Sequence, residues 1–307
     1  MRRADIPLAK ELQAKLVEFR KSRALPGIST KNNFGCLIEQ MVDSIRRIKY
    51  VRLIRDKNIS PLCADARSIA FDPIKAAAWR RQQGNVNEAC WLVFLATQFG
   101  KHVESKWGLV KSIYGARTYP AHWNWDRISA NPNLFRQWLR ANRAAVQATG
   151  NFGNHRSRET LDDSCTGATV AGYVSWVGTT HNHQTLVNNA QNNVGANPGD
   201  MFRYLYNNMS VPRFGRLGKF DYLSMLGKLN LMPIAPSSTY LRNATGPLRG
   251  ARLLFKNNKN ANVDEDTACA WLDELGEHLD LDFGMQVLED AVCNWQKNPS
   301  KYTRFAG

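Results

Sequence analysis

The apolar positions of this chain recur with the spacing of helices. Leu8, Leu12, Leu16 and Phe19 form one stripe within residues 6–20, and a spacing of three to four residues is typical of an amphipathic helix. Few segments alternate with period two, which would indicate strands. The pattern predicts an all-α, multi-helix bundle. We expect a single all-α domain, residues 1–307, with an N-terminal helical extension (1–30) and a C-terminal helical pair (263–307).

Helix-capping signals divide the first half of the chain. Asp72 stands before Pro73, and Asn32 or Asn33 precedes a long amphipathic segment, so each predicts an N-cap. Asn85 and Glu88 have the spacing of a capping box and open the run ACWLVFLATQFG. That run is apolar almost all round, which predicts the central buried helix. Glu88 is interpreted as a capping residue, with a catalytic carboxylate as the alternative.

Residues 215–255 predict a helix followed by two sharp turns and a basic helix. The first helix has an apolar face at spacing three, formed by Phe220, Leu223, Leu226 and Leu229. Pro233 and Pro236 end it because proline lacks an amide donor. Ser237 or Ser238 is predicted to cap a short helix, and Asp200 an earlier one. The segment surrounds Asp221 with basic residues: Lys219, Arg242, Arg249 and Arg252. Turns of this kind suit an anion, so we expect a phosphorylated ligand.

Charge narrows the class of protein. The formal net charge is +15, with nine Trp, nine Tyr and thirteen Phe, and such a chain favours a nucleic-acid partner because binding phosphates releases counterions. A basic protein without a nucleic-acid role is the alternative. Six scattered cysteines form no CxxC pair, which favours reduced thiols. With no apolar run of membrane-spanning length and no signal-peptide pattern at the N-terminus, we expect a cytoplasmic protein without a membrane partner.

One segment, RTYPAHWNWDR, crowds aromatic rings among arginines. Stacking rings beside guanidinium groups are what an extruded base requires. The residues nominated for base stacking or DNA contact are Arg117, Tyr119, His122, Trp123 and Trp125. The alternative is that tryptophan anchors the segment to the core. The basic face of the long helix, with Arg46 and Arg47, is equally consistent with a DNA backbone or with solvent.

A second segment, TGNFGNHRSRE, holds the densest group of chemically capable side chains. Its glycines free the backbone, and five polar residues follow: Asn154, His155, Arg156, Arg158 and Glu159. Arginines match phosphate oxygens with paired donors, and a histidine can move a proton near neutral pH. The alternative is a solvated loop before a helix. His181 and His183 stand two apart and do not share a helix face, so we predict no metal site there.

With these residues in view, the chain resembles a phage enzyme family, the α-glutamyl/putrescinyl thymine pyrophosphorylases, also described as amino acid:DNA transferases. The resemblance spans roughly residues 38–255. Its matching stretches are IEQMVDSIRRIKYV, FDPIKAAAWRRQQGNVNEACWLVFLATQFGKH, TGNFGNHRSRETL and GKFDYLSMLGKLNLMPIAPSSTYLRNATGPLRGARLLF. FGNHR and ATGPLRGARLLF are the most distinctive, whereas the helical stretches are weaker alone.

The resemblance implies a helical fold distantly related to the helix-hairpin-helix DNA glycosylases. It also implies double-stranded DNA carrying 5-pyrophosphoryloxymethyl-uracil as substrate, in a phage-infected bacterium. An amino acid or polyamine would displace pyrophosphate. For this reaction we nominate Asp221, His155 and Glu159 as catalytic bases. The nominated pyrophosphate or substrate ligands are Asn154, Arg156, Arg158, Lys219, Arg249 and Arg252.

Two other functions fit the residues less well. A DNA base glycosylase would need an acid such as Asp221, but Met232-Pro-Ile-Ala-Pro236 lacks the glycines of the glycosylase hairpin turn. A non-catalytic helical DNA-binding protein would explain the charge but not FGNHR. The sequence predicts no cofactor and leaves open the nucleophile, a divalent metal, the flanking bases and the oligomeric state.

Overall fold

The computed structural model describes residues 1–117 and 122–304 and is all-α, as predicted. Within these ranges the chain forms fourteen α-helices and no β-strand. In chain order the helices are α1 (Ile6–Phe19), α2 (Lys31–Asp56), α3 (Pro73–Gln82), α4 (Val86–Phe99), α5 (Gly108–Tyr114), α6 (Trp125–Ala130), α7 (Pro132–Gln147), α8 (Ala168–Val177), α9 (His183–Val194), α10 (Pro198–Asn208), α11 (Arg216–Lys228), α12 (Thr245–Lys256), α13 (Glu265–Leu279) and α14 (Gly284–Trp295). None of these helices is long and apolar enough to cross a membrane.

The helices group into two compact units. Unit 1 contains residues 1–50 and the C-terminal part of the chain from Pro236, and unit 2 contains Val51–Ala235. The prediction of a single catalytic domain stays a prediction. The predicted N-terminal extension and C-terminal helical pair both belong to unit 1.

Unit 1 joins the two ends of the chain. Lys15 Nζ on α1 donates to the carbonyl of Leu279 at the end of α13, at 2.6 Å. α12 packs closely on α14, where a Cβ at Gly250 would lie 2.3 Å from the carbonyl oxygen of Val292. On α2, Arg46 and Arg47 both pair with Asp43 at 2.8 Å. Two arginines of the basic α2 face therefore already neutralise a carboxylate of their own unit.

Unit 2 is built around α4, whose apolar run is buried as predicted. Trp91, Phe94 and Leu95 on this helix are fully buried. α3 begins after the predicted cap Asp72, whose side chain accepts from the amides of Ile74 and Lys75. Gln98 and Phe99 lie at the C-terminal end of α4, and that end positions the candidate site.

Two predicted N-caps were wrong by two or three residues. Thr30, rather than Asn32 or Asn33, accepts from the amide of Asn33 at the start of α2. Asn197, rather than Asp200, caps α10. In each case the N-cap is the residue just before the helix begins. Several polar residues in the same stretch could serve as the cap, so the sequence does not identify which one does. Ser238 caps no helix but accepts from the amide of Tyr240 at 3.2 Å within a turn.

Candidate active site

The FGNHR segment docks on the C-terminal end of α4. The Phe152 ring stacks on Phe99 with centroids 5.4 Å apart, and the Gly153 amide donates to the Phe99 carbonyl at 2.7 Å. Gly153 also lies against Gly100, where an added Cβ would be 2.8 Å from the Gly100 carbonyl carbon. Such a backbone-to-backbone approach excludes any side chain. The two glycines therefore fix where the following polar residues lie.

Arg156 turns back from this docked segment toward α4. Its Nε donates to the Gln98 carbonyl at 3.1 Å, and its terminal nitrogen donates to the Gln98 side-chain oxygen. The guanidinium carbon lies 5.2 Å from the centre of the Phe214 ring. Burial lowers the pKa of Arg156, while the nearby carboxylates of Glu159 and Asp221 raise it. A half-buried guanidinium thus interacts electrostatically with two acids.

The two acids differ in their surroundings. Glu159 accepts from Arg213 Nε at 3.1 Å, and this hydrogen bond is the largest cause of the raised pKa of Arg213. Asp221 lies half-buried on α11 and is near enough to Arg156 to raise its pKa. We call this group the Arg156 cluster; its members are Gln98, Arg156, Glu159, Arg213, Phe214 and Asp221.

The cluster brings together three nominated residues, Arg156, Glu159 and Asp221. Arg213 and Gln98 were missed. Gln98 lies inside the apolar run of α4, and Arg213 follows Pro212 outside any motif, so neither carried a sequence signal beyond its polarity.

Other nominated residues of unit 2 lie around or outside the cluster. His155 and Arg158 are exposed on the same turn. The side chain of Asn154 lies outside the described part of the structure. Lys219 Nζ donates to the Tyr206 carbonyl at 3.4 Å, and partial burial lowers the pKa of Lys219. Its Nζ also lies 5.6 Å from the centre of the Tyr206 ring, and Lys219 remains a candidate ligand for an anion because a hydrogen bond of 3.4 Å is weak.

Arg249 and Arg252 belong to α12 of unit 1 and have contrasting environments. Arg252 donates twice to the Val263 carbonyl, at 2.9 and 2.6 Å, so it ties α12 to the segment before α13. Arg249 is exposed and forms no hydrogen bond or ion pair within the described residues. Of the two, only Arg249 presents its guanidinium to solvent without a prior contact.

The two tryptophans nominated for base stacking are core residues. Trp123 is 1% exposed and Trp125 is 2% exposed. The Trp123 carbonyl accepts from Trp91 Nε1 at 2.7 Å, and Trp125 Nε1 donates to the His181 carbonyl at 2.7 Å. Neither ring offers a face to a base, so the anchoring alternative holds for both and the stacking interpretation is wrong for them. Tyr119 lies outside the described residues.

Glu88 is neither a capping side chain nor a surface acid. Asn85 accepts from the Glu88 amide as predicted, but the Glu88 carboxylate accepts from the Tyr114 hydroxyl at 2.5 Å and from the Trp125 amide at 2.6 Å. Burial raises the pKa of Glu88, against these hydrogen bonds. The carboxylate holds the start of α6 on the core, a role that only the tertiary structure shows.

His183 forms a buried hydrogen-bonded chain that the sequence did not predict. Its Nε2 lies 2.6 Å from the Tyr173 hydroxyl, and its Nδ1 lies 2.9 Å from Asn87 Oδ1. The Tyr173 hydroxyl also lies 2.7 Å from that of Tyr222. Burial lowers the pKa of His183 to about 3. Throughout the described ranges no three His, Cys, Asp or Glu side chains group as metal ligands.

A cationic cleft of about 450 Å³ also opens on unit 2. Arg67, Lys111, Arg117 and His122 line it, beside Ser112. Two of these, Arg117 and His122, were nominated for DNA contact. A cleft of this size accepts a small molecule or one part of a polymer.

The chain was compared with protein families, curated proteins and solved structures. The family model described as alpha-glutamyl/putrescinyl thymine pyrophosphorylase clade 3 matches residues 32–307. No curated protein and no solved structure matches the chain, so the relation to helix-hairpin-helix DNA glycosylases stays a prediction. The match covers nearly the whole chain, including the Arg156 cluster and α12. The chain therefore belongs to the alpha-glutamyl/putrescinyl thymine pyrophosphorylase family, clade 3.

Proposed function

We infer that this protein replaces the pyrophosphate of 5-pyrophosphoryloxymethyl-uracil in DNA with an amino acid or a polyamine. The observation that carries the proposal is the family match over residues 32–307. The formal charge of +15 supports a DNA substrate, because cationic surfaces gain affinity by releasing counterions from phosphates. The reaction would take place in the cytoplasm of a phage-infected bacterium.

The chemistry is a substitution at the exocyclic carbon of the base. The amine nitrogen forms a bond to that carbon as the carbon–oxygen bond to pyrophosphate breaks, and pyrophosphate leaves with the bonding electrons. The amine loses one proton to a base. Negative charge develops on the leaving group, so fixed guanidinium and ammonium groups accelerate the step. In unit 2, Arg156 and Lys219 are our candidates for this stabilisation; Arg249, in unit 1, is a separate candidate ligand for the substrate.

Asp221 is the preferred base among the three nominated. The Glu159 carboxylate accepts from Arg213 Nε at 3.1 Å, so it would have to give up this hydrogen bond to approach an incoming amine. His155 is exposed. Asp221 is half-buried on α11 and interacts electrostatically with Arg156, so it would lie near the reacting carbon if Arg156 binds the leaving pyrophosphate.

The test is mass spectrometry of nucleosides from duplex DNA carrying 5-pyrophosphoryloxymethyl-uracil, after incubation with the full chain and a mixture of amino acids and polyamines. We expect a new nucleoside adduct with an equal amount of released pyrophosphate. Abasic sites without an adduct would instead establish a glycosylase. Binding with unchanged nucleosides in every mixture would contradict the transferase.

Two conservative variants assign the base in the same assay. Asp221→Asn should abolish transfer at every pH, because an amide cannot accept the amine proton. Glu159→Gln should retain most transfer, since its carboxylate is committed to Arg213. Circular dichroism checks that both variants fold. The reverse pattern would move the base to Glu159.

A further inference from the structure

The segment from Asp65 to Phe71 is a rigid turn beside the cationic cleft. The Ser68 amide donates to the Asp65 carbonyl at 2.9 Å, and the Ala70 amide donates to Ser68 Oγ at 3.0 Å. Lys111 Nζ, from the cleft wall, donates to the Ser68 carbonyl at 3.0 Å. Phe71 is buried, with its ring 5.9 Å from that of Tyr114. Hydrogen bonds therefore hold the turn at Asp65 and Ser68, and the buried Phe71 ring holds its C-terminal end.

At the tip of this turn stands Ile69, whose side chain is fully exposed. A single exposed apolar residue is ordinary on a protein surface. Ile69 differs in that a braced backbone presents it and a β-branched side chain has few rotamers to lose on binding. A rigid apolar tip can enter a partner with little loss of conformational freedom.

The charges around the tip specify the partner. Arg67 lines the cleft two residues before Ile69, a separation of at most about 7 Å along the chain. The cleft adds Lys111, Arg117 and His122. Arg67 itself forms a bidentate ion pair with Asp65, at 3.0 and 2.9 Å. Lys111 and Arg117 therefore supply the net positive charge of the cleft. A polyanion with an apolar interior that can be entered from its edge matches an apolar tip beside cations, and duplex DNA has this character.

The geometry points to the Ile69 turn and the cationic cleft as the surface that distorts the DNA duplex: Ile69 enters the base stack while Arg117 holds a flanking phosphate. The assignment rests on the proposed function insofar as DNA is the substrate. A base that leaves the stack exposes apolar surface and loses its neighbours. An apolar side chain in the vacated space restores part of that contact, so the turn would favour the extruded state of the target base.

The experiment uses a duplex with 2-aminopurine beside 5-pyrophosphoryloxymethyl-uracil, a fluorophore whose emission rises when it is unstacked. The full chain should raise the emission on binding. Ile69→Ala should lose most of that rise while keeping the salt dependence of affinity. Arg117→Gln should lower the slope of log affinity against log salt by about 1, and Arg67→Gln should lower it by less because Arg67 is paired with Asp65.

Leu134→Ala is the matched control, because Leu134 on α7 is an exposed apolar residue that does not line the cleft. It should behave like the native chain. Equal fluorescence with Ile69→Ala and the native chain, or equal loss with Leu134→Ala, would overturn the assignment. So would an unchanged salt slope in both arginine variants accompanied by a raised KM for the amino acid, which would make the cleft a site for that small acid.

Adduct formation measured in the same samples separates this inference from the proposed function. Distortion that depends on Ile69 without any adduct would retain the DNA surface and reject the transferase. An adduct formed equally well by Ile69→Ala, with unchanged fluorescence, would retain the transferase and reject the surface.

Discussion

Two arginines of α12, three residues apart, show how a side chain's prior contacts decide what it can bind. The Arg252 guanidinium donates two hydrogen bonds to the Val263 carbonyl. Arg249 is exposed and forms no hydrogen bond or ion pair within the described ranges. A guanidinium that donates from two nitrogens to the protein, as those of Arg252 and Arg156 do, can offer a phosphate only its third nitrogen without breaking those hydrogen bonds. Arg249 and Arg252 are therefore a natural pair for separating stability from activity.

We expect Arg249→Ala to abolish transfer while leaving the free energy of unfolding within about 0.5 kcal/mol of native, as for surface substitutions generally. Arg252→Ala should lower the free energy of unfolding by about 1–2 kcal/mol, because it removes a charged hydrogen bond to a carbonyl. Urea denaturation and the nucleoside assay measure the two effects. Full transfer activity in Arg249→Ala would remove Arg249 from the pyrophosphate site.

At this scale the sequence predicted which residues carry charge but not what they contact. Arg156, Glu159 and Asp221 were nominated and lie together, whereas Arg213 joins them through a tertiary contact that no local pattern encodes. Trp123 shows the converse: its position beside arginine suggested a stacking surface, yet its ring is buried. Burial depends on segments distant in sequence, so residue type alone could not decide it.

Among the helices, the close contact between FGNHR and the end of α4 depends on a pair of glycines. Gly100 has φ of +65°, a conformation that favours glycine, and Gly153 leaves no space for a Cβ against it. The contact sets the direction of the turn that carries Arg156.

Gly153→Ala should lower the free energy of unfolding by about 1–3 kcal/mol, the usual range for overpacking. It should also reduce transfer by displacing Arg156. Gly35→Ala is the control, since Gly35 lies inside α2 and an added Cβ there meets nothing within 4 Å; it should raise the free energy of unfolding by about 0.5–1 kcal/mol. Thermal denaturation of both variants measures these changes. A Gly153→Ala protein as stable as the native one would show that the backbones separate easily.

The periodicity of apolar residues was sufficient to predict the helices but not the conformation of the segments that connect them. The apolar runs of α4 and α11 were identified because a buried helix repeats its apolar residues over several turns. The short helix expected after Ser237 did not form; among the described residues no α-helix lies between α11 and α12. A turn of a few residues is too short to show a periodic spacing of apolar residues. Its conformation follows from tertiary hydrogen bonds such as that from the Thr239 amide to Asp273 at 2.8 Å.

For the molecule as a whole, the buried His183 links stability to pH. Its pKa falls from 6.5 to about 3 in the folded protein, so the unfolded chain binds a proton that the folded chain does not between these values. The stability is fully present above pH 6.5 and is lost as the pH falls toward 3, by about 1.4 kcal/mol per pH unit for one proton. Glu88, whose pKa burial raises, contributes a slope of opposite sign because the folded chain binds its proton at a higher pH than the unfolded chain, so a His183 variant is needed to separate the two groups.

Urea denaturation across pH 6.5 to 5 measures this slope. His183→Asn should be less stable at pH 7, because it loses the hydrogen bonds to Tyr173 and Asn87, but its stability should change less with pH. His181→Asn should keep the native slope. The same slope in His183→Asn and in the native protein would show that another group takes up the proton.

The six cysteines are all free thiols, and two of them lie in the interiors of different units. Cys90 is buried at the centre of α4 in unit 2, and Cys36 is buried in α2 within unit 1. Burial raises the pKa of Cys36 to about 11 and that of Cys90 further, while alkylating reagents attack only an accessible thiolate. Each thiol is consequently protected for as long as its own unit stays closed. The rates at which iodoacetamide modifies the two positions distinguish opening of one unit from opening of the other, without any introduced probe.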